Sequence, residues 1–475
     1  MDNKNWQEQY NDLARLSLQS PVPPVIGVID NCKESFSLIR HSGGIPLSIT
    51  ELPLPSETKV FLNQIHGLLL AEQIEESLLL VRCAMDMQIP ILAVGEGKRV
   101  LQTIYSVLPG SHDNQNSIPF KSFRGVDAHS ASAFSWLCDE AKLYKEARRI
   151  HQHVVSLDTH CDTPIFFEQG IHFDQRDPHI LVDSHKMREG GLDACIMVAY
   201  LEQQARDEAG LTAATKKCEK LLNDIDKYIG SCPDVAIAYT PDDLYRLKLE
   251  HKIAVMKGIE NGYAIGQDIR NVEHFRKKGV VYMTLCHNGN NDICDSASHT
   301  NNEHSGLSKM GYNVISEMNR VGMMIDLSHA GEKSFYDALE ASKTPIVCSH
   351  SSMRALCDHP RNLTDDQLRA LSNADGVVQV TMYPGFLRLD SQATIEDAVN
   401  HLKHAVDIAG IDHVGVGTDF DGDGGIPGLA DASEIINFTK HLLRKHFSET
   451  DLRQIWGENF LRVMRQTQEM GCIKF

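Results

Sequence analysis

The sequence has no uninterrupted apolar stretch approaching a membrane span, no Cys-x-x-Cys pair and no excess of positive charge. The first absence argues against a membrane-embedded chain, because a spanning helix needs about 20 consecutive apolar residues. The second argues against a zinc knuckle. Twelve cysteines scattered over 475 residues, several in apparent strands (Cys195, Cys286, Cys348), read as buried thiols rather than a disulfide framework. The third argues against nucleic acid or an anionic membrane as partner, since 46 Lys and Arg against 64 Asp and Glu leave a net charge of -18. The opening M-D-N-K-N-W-Q-E-Q-Y is polar and shows no signal-peptide pattern, so the expected setting is the reducing cytoplasm.

What is present is a chain too long for one ordinary domain, with 42% hydrophobic and 23% charged residues, the balance of a globular protein. Short apolar runs at 23–30, 41–49, 66–71 and 89–97, separated by helical patterns, predict a small parallel α/β domain over 21–112 after an N-terminal segment 1–20. Residues 113–135 are polar and turn-rich and read as a linker. From 136 to 475 a larger α/β series follows, with candidate strands at 154–158, 193–200, 253–258, 280–286, 322–327, 345–349, 377–382 and 413–418. Eight strands fit a TIM-like (β/α)8 barrel, and a doubly wound sheet fits the local pattern nearly as well. The polar residues separate the two.

V-S-L-D-T-H-C-D-T-P, beginning at Val155, sends an apolar run into His160 and Asp162. Other candidate strands end in the same chemistry: Glu260, His287, His329 in M-M-I-D-L-S-H, His350 in P-I-V-C-S-H-S, and Asp419 in V-G-V-G-T-D-F-D-G. A barrel gathers the C-terminal ends of its strands on one face, where that fold builds its sites. With 23 histidines in the chain some fall near strand ends by chance, and His299, His304 and His359 read as ordinary loop residues. Repetition at strand after strand is what argues for a site. Imidazole and carboxylate are zinc ligands, and a metal pair needs a bridging carboxylate. One metal could take His160 and Asp162, the other His329 and His350, with Glu260 between them. Asp158 and Asp326 are candidate partners of the ligand histidines, or else simple strand-end caps.

The motifs D-T-H-C-D-T, G-I-E-N-G, L-C-H-N-G-N-N, M-I-D-L-S-H, P-I-V-C-S-H-S, H-P-R-N-L-T-D-D and V-G-V-G-T-D-F-D-G resemble, in this order, those of the membrane (renal) dipeptidase family of dinuclear zinc enzymes, over residues 140–475. The resemblance implies an amidohydrolase-like metallohydrolase barrel holding two Zn²⁺, with His160 and Asp162 on one, His329 and His350 on the other, and Glu260 bridging. It implies that His287 meets the scissile carbonyl, Arg361 clamps the substrate carboxylate, and Asp419 handles the amine and returns a proton to the leaving nitrogen. The implied reaction is hydrolysis of the single amide bond of a dipeptide by a metal-bridging hydroxide, with a D-residue tolerated at the C-terminal position and a homodimer as the assembly. The alternatives are N-acyl amino acids or cyclic amides as substrates, or a non-catalytic scaffold. The front domain resembles class I glutamine amidotransferase-like domains, in particular the γ-glutamyl hydrolase branch. There Gly95 of P-I-L-A-V-G-E-G stands at the nucleophile position, which implies a catalytically dead relative.

Overall fold

The computed structural model describes residues 23–29, 33–49, 52–71, 77–94, 97, 99–100, 123–126, 131–298 and 301–475. The front sheet consists of β1 (Val25–Ile29), β2 (Ile45–Ser48), β3 (Gly67–Leu70), β4 (Ile91–Val94) and β5 (Phe123–Val126). All pairings are parallel, in the order β2-β1-β3-β4-β5. Buried runs such as Leu68-Leu69-Leu70 and Ile91-Leu92-Ala93-Val94 explain the central strands, since a sheet covered on both faces tolerates no polar alternation. Gly95, the nucleophile-position residue, lies outside the described residues.

The interval 113–135 is not simply a linker. It supplies β5, and helix Ala131–His153 begins before its end. F-R-G-V carries an arginine and a glycine and no apolar run, so pairing with β4 rather than propensity makes it a strand. The 23-residue helix that follows belongs to both halves of the molecule. Phe134, Leu137, Cys138 and Ala141 pack with the core on one face of the front sheet, and Tyr144 and Ala147 with that on the other. Ile150 and Val154 reach the barrel core.

The second sheet contains β6 (Leu157–Cys161), β7 (Ala194–Tyr200), β8 (Val235–Ile237), β9 (Ile253–Glu260), β10 (Val280–Thr284), β11 (Met324–Asp326), β12 (Val347–Ser351), β13 (Val377–Val380) and β14 (Val414–Val416). Eight of them form a parallel path, β6-β7-β9-β10-β11-β12-β13-β14, as the barrel reading predicts. The three-residue β8, too short to signal itself, pairs with β9 over Ile253–Val255 before β10 joins at Lys257. The ends meet where Asp162 N–H donates to Phe420 O (2.9 Å) and Asp419 N–H to His160 O (3.1 Å). Thr159 Oγ1 reaches Ser349 O and Val416 O across the interior, tying β6 to β12 and β14.

The first barrel strand sits later than its apolar run. Val154 and Val155 belong to the approach, and the strand is L-D-T-H-C, which places His160 inside it. A strand that is 0–1% exposed at Asp158, Thr159 and His160 would be unfavourable without partners, and Asp158 and Thr159 find them in full. Asp158 accepts from Thr418 N (2.8 Å), Thr418 Oγ1 and His160 N (3.3 Å).

Candidate metal centre and active-site cavity

The seven strand-end residues converge. Glu260, the last residue of β9, divides its carboxylate between two groups of side chains. Oε1 lies 3.0 Å from His329 Nε2 and 3.4 Å from His350 Nε2, while Oε2 lies 3.6 Å from His160 Nε2. Asp162 Oδ2 is 3.6 Å from the same His160 nitrogen, and Asp419 Oδ1 is 3.9 Å from it. Three sets of possible metal ligands result: His160–Asp162–Glu260, Glu260–His329–His350 and His160–His350–Asp419.

The residues fit a cation. His160 Nε2 and Asp162 Oδ1 are buried without a hydrogen-bond partner, an expensive state for groups that water would otherwise satisfy. Two imidazole Nε2 atoms, those of His329 and His350, stand 2.9 Å apart. Burial works against charge on His160, but Glu260 and Asp162 outweigh it and hold its pKa well above the usual histidine value. Burial instead drives His329 and His350 well below that value, and pushes Asp162 up to about 6. Ring nitrogens and carboxylate oxygens so crowded, with little hard-oxygen excess, are the donor set of zinc rather than of magnesium or calcium.

Local backbone helps aim these groups. Asn261, His329 and Asp419 have φ of 85°, 70° and 64°, left-handed conformations that non-glycine residues adopt at a cost. At Gly422 a Cβ would meet Asp162 Oδ2 at 2.2 Å, so only glycine lets that turn close on the site.

A cavity of 840 Å³ opens over the cluster, bounded by Asp162, Glu260, His287, His329, Arg361 and Asp419 among others. His287 is half-buried, its ring edge-on to Tyr200 (4.9 Å) and tilted against His329 (4.3 Å). Burial lowers its pKa, leaving a neutral ring with one N–H to offer. Arg361 is 3% exposed, packs its guanidinium over the Phe386 ring at 5.1 Å, and leaves Nε buried and without a partner. Asp419 is 8% exposed, and its burial raises its pKa well above the ordinary aspartate value.

Sequence reading missed the residues that hold these side chains in place. His160 Nδ1 lies 2.8 Å from Tyr282 Oη, His350 Nδ1 2.8 Å from Ser349 Oγ, and His329 Nδ1 3.0 Å from Asn288 Oδ1. Ser349 and Asn288 sit inside the quoted motifs, next to His350 and His287. Tyr282, in mid-strand, looks like any core tyrosine. The candidates Asp158 and Asp326 touch no ring nitrogen. Asp158 anchors Thr418, and Asp326 accepts from Ser349 Oγ, the group beside His350 Nδ1. His359, read as an ordinary loop residue, lines the cavity and tilts against Phe386 at 4.7 Å. Asp421 accepts from Thr163 Oγ1 (2.6 Å) and Leu181 N (2.7 Å), which fits loop shaping.

The family model of membrane dipeptidase (peptidase family M19) matches residues 144–472. A dipeptidase of Claviceps purpurea, tcpJ, is 36% identical over 238 residues, covering 50% of this chain and 56% of that protein, so the chain spans little more than half of that relative. An uncharacterized dipeptidase of Schizosaccharomyces pombe is 31% identical over 362 residues, covering 72% of this chain and 88% of its own. Among solved structures, the probable dipeptidase PvdM from Pseudomonas aeruginosa superposes with a TM-score of 0.66 at 26% identity, over 69% of this chain and 99% of that one. Among the described residues no helix is long and apolar enough to cross a membrane.

Proposed function

From the premise that this chain belongs to the membrane dipeptidase family, we propose that it hydrolyses the amide bond of dipeptides with two zinc ions held by His160, Asp162, Glu260, His329 and His350. The observation that carries the reading is the divided carboxylate of Glu260, one oxygen toward His329 and His350 and the other toward His160. Bound zinc supplies Lewis acidity to a carbonyl and acidifies a water molecule at neutral pH.

The protein's own groups do the rest. His287, neutral and beside His329, donates its N–H to the carbonyl oxygen as negative charge develops there, an interaction that strengthens in the transition state. Arg361 lines the cavity and presents a planar fork suited to a carboxylate. Phe386 beneath the guanidinium fixes its plane. Asp419, facing the same cavity, accepts a hydrogen bond from the substrate amine and passes a proton to the leaving nitrogen.

A carboxylate clamp and an amine acceptor facing one cavity measure the distance between a free C-terminus and a free N-terminus. That favours dipeptides over N-acyl amino acids and cyclic amides, which lack one end. The test is a substrate panel for the zinc-loaded protein. Dipeptides are expected to outrun their N-acetyl and C-amide derivatives, and equal rates would remove the two-ended reading.

A further inference from the structure

His350 has two ring nitrogens with opposite duties. Nε2 faces Glu260 and His329, where a metal needs a lone pair, so the ring proton must sit on Nδ1. What holds it there is visible one residue away. Ser349 Oγ lies 2.8 Å from His350 Nδ1 and 2.6 Å from Asp326 Oδ2.

A serine hydroxyl has one hydrogen to donate. Asp326 is surrounded by donors alone: Ser328 N (3.0 Å) and Ser349 N (2.8 Å) on Oδ1, and Thr284 Oγ1 and Ser349 Oγ on Oδ2. The serine hydrogen is therefore committed to the carboxylate, and Ser349 can meet His350 only as an acceptor. The same oxygen lies 3.4 Å from His160 Nδ1, whose closer neighbour is Tyr282 Oη at 2.8 Å. All of these groups are buried, so water cannot substitute.

We propose that Asp326, acting through Ser349, is a positioning pair that fixes the Nδ1-protonated tautomer of His350 and so keeps its Nε2 open to metal. This rests on the metal reading above. The rival role is structural, a carboxylate that only ties β10, β11 and β12 together.

Asp326→Asn separates the two, because the surroundings dictate how the amide must lie. Two backbone N–H donors on the Oδ1 side require the amide oxygen there, which puts the NH2 group beside Ser349. The amide then donates to Ser349 Oγ, and the serine hydrogen turns to its nearest remaining acceptor, His350 Nδ1, Ser328 Oγ being farther at 3.5 Å. The His350 proton moves to Nε2, into the metal's place. Strand ties keep their shape while the tautomer inverts.

The experiment is a zinc titration of the full-length protein against a competing chelator, with ¹⁵N-histidine spectra of the metal-free protein. Wild type is expected to bind two equivalents. Asp326→Asn should bind one of them about 10- to 100-fold more weakly, the range for partners outside the ligand set, and show one histidine with the tautomer reversed. Wild-type affinity for both equivalents, or an unchanged tautomer, overturns the proposal. If Asp326→Asn does not fold, Ser349→Ala and Ser349→Thr decide. Loss of affinity in the first and retention in the second support the pair, and equal affinity overturns it. A wild type that binds no zinc refutes the metal reading instead, while its metal-free spectrum still reports the tautomer.

Discussion

His329 and His350 bring their Nε2 atoms within 2.9 Å of each other, beside the same oxygen of Glu260. Two ring nitrogens at that distance repel unless one carries a proton or both share a cation. The first solution uses a proton on a group whose pKa burial has driven well below the ordinary value. The second relieves the repulsion, and a further cation beside Glu260 Oε2 would give the unpaired His160 Nε2 a partner.

Arg361 sets the requirement for a free C-terminus. Arg361→Met removes the fork and leaves the Phe386 face intact. Loss of one partner in a buried charge pair costs about 2–5 kcal/mol, or roughly 30- to several-thousand-fold in kcat/KM for dipeptides. Hydrolysis of dipeptide amides, which never used the clamp, should change little. Equal losses on acid and amide substrates would assign Arg361 to the fold.

Asp419 should be separable from the ligands. Asp419→Asn keeps the shape but cannot carry the proton, so kcat/KM should fall by about 10²- to 10⁴-fold, the usual worth of general acid–base help. Zinc content should stay at the wild-type level. A parallel fall in zinc would make Asp419 a ligand, as its place beside His160 and His350 also allows.

Tripeptides should be poor substrates, because an added residue displaces either the amine from Asp419 or the carboxylate from Arg361. A matched series of di- and tripeptides sharing the scissile bond measures this directly, and comparable kcat/KM values would contradict it.

Where helix Ala131–His153 and its neighbours join the two sheets, Glu434 is buried and its pKa is raised to about 8, chiefly by desolvation. It accepts from Ala430 N (2.7 Å) and lies 3.5 Å from Gln88 Nε2. The folded state therefore keeps a proton that the unfolded chain releases above the ordinary glutamate value of 4.5. Stability should fall as pH rises from that value toward 8, by at most about 1.4 kcal/mol per pH unit. Glu434→Gln should flatten the slope and raise Tm at pH 8. Identical Tm profiles from pH 5 to 9 would contradict it.

The sequence reveals the parts of this site whose chemistry is rare. A histidine or carboxylate at the end of a buried strand stands out, and so His160, Asp162, Glu260, His287, His329, His350 and Asp419 are all legible before any fold is known. Partners that look ordinary are not. Tyr282 and Ser349 carry residue types found in any core, and their roles depend on ring nitrogens contributed by other strands. The same holds for structure. The long central strands announce themselves by apolar runs, whereas β5 and β8, at four and three residues, exist because a neighbouring strand offers an edge. Asp326 illustrates the limit: it is a plausible histidine partner in sequence, yet it stands one hydroxyl away.

The central claim is that Glu260 bridges two metal ions. The measurement that tests it most directly is elemental analysis of the protein purified without added metal, beside Glu260→Gln handled identically. About two zinc ions per chain are predicted for the wild type. The variant should lose zinc, with activity down by more than about 100-fold, the upper end for residues outside the ligand set. A wild type that is metal-free and cannot be reloaded, or a variant that keeps its full zinc, would contradict the account.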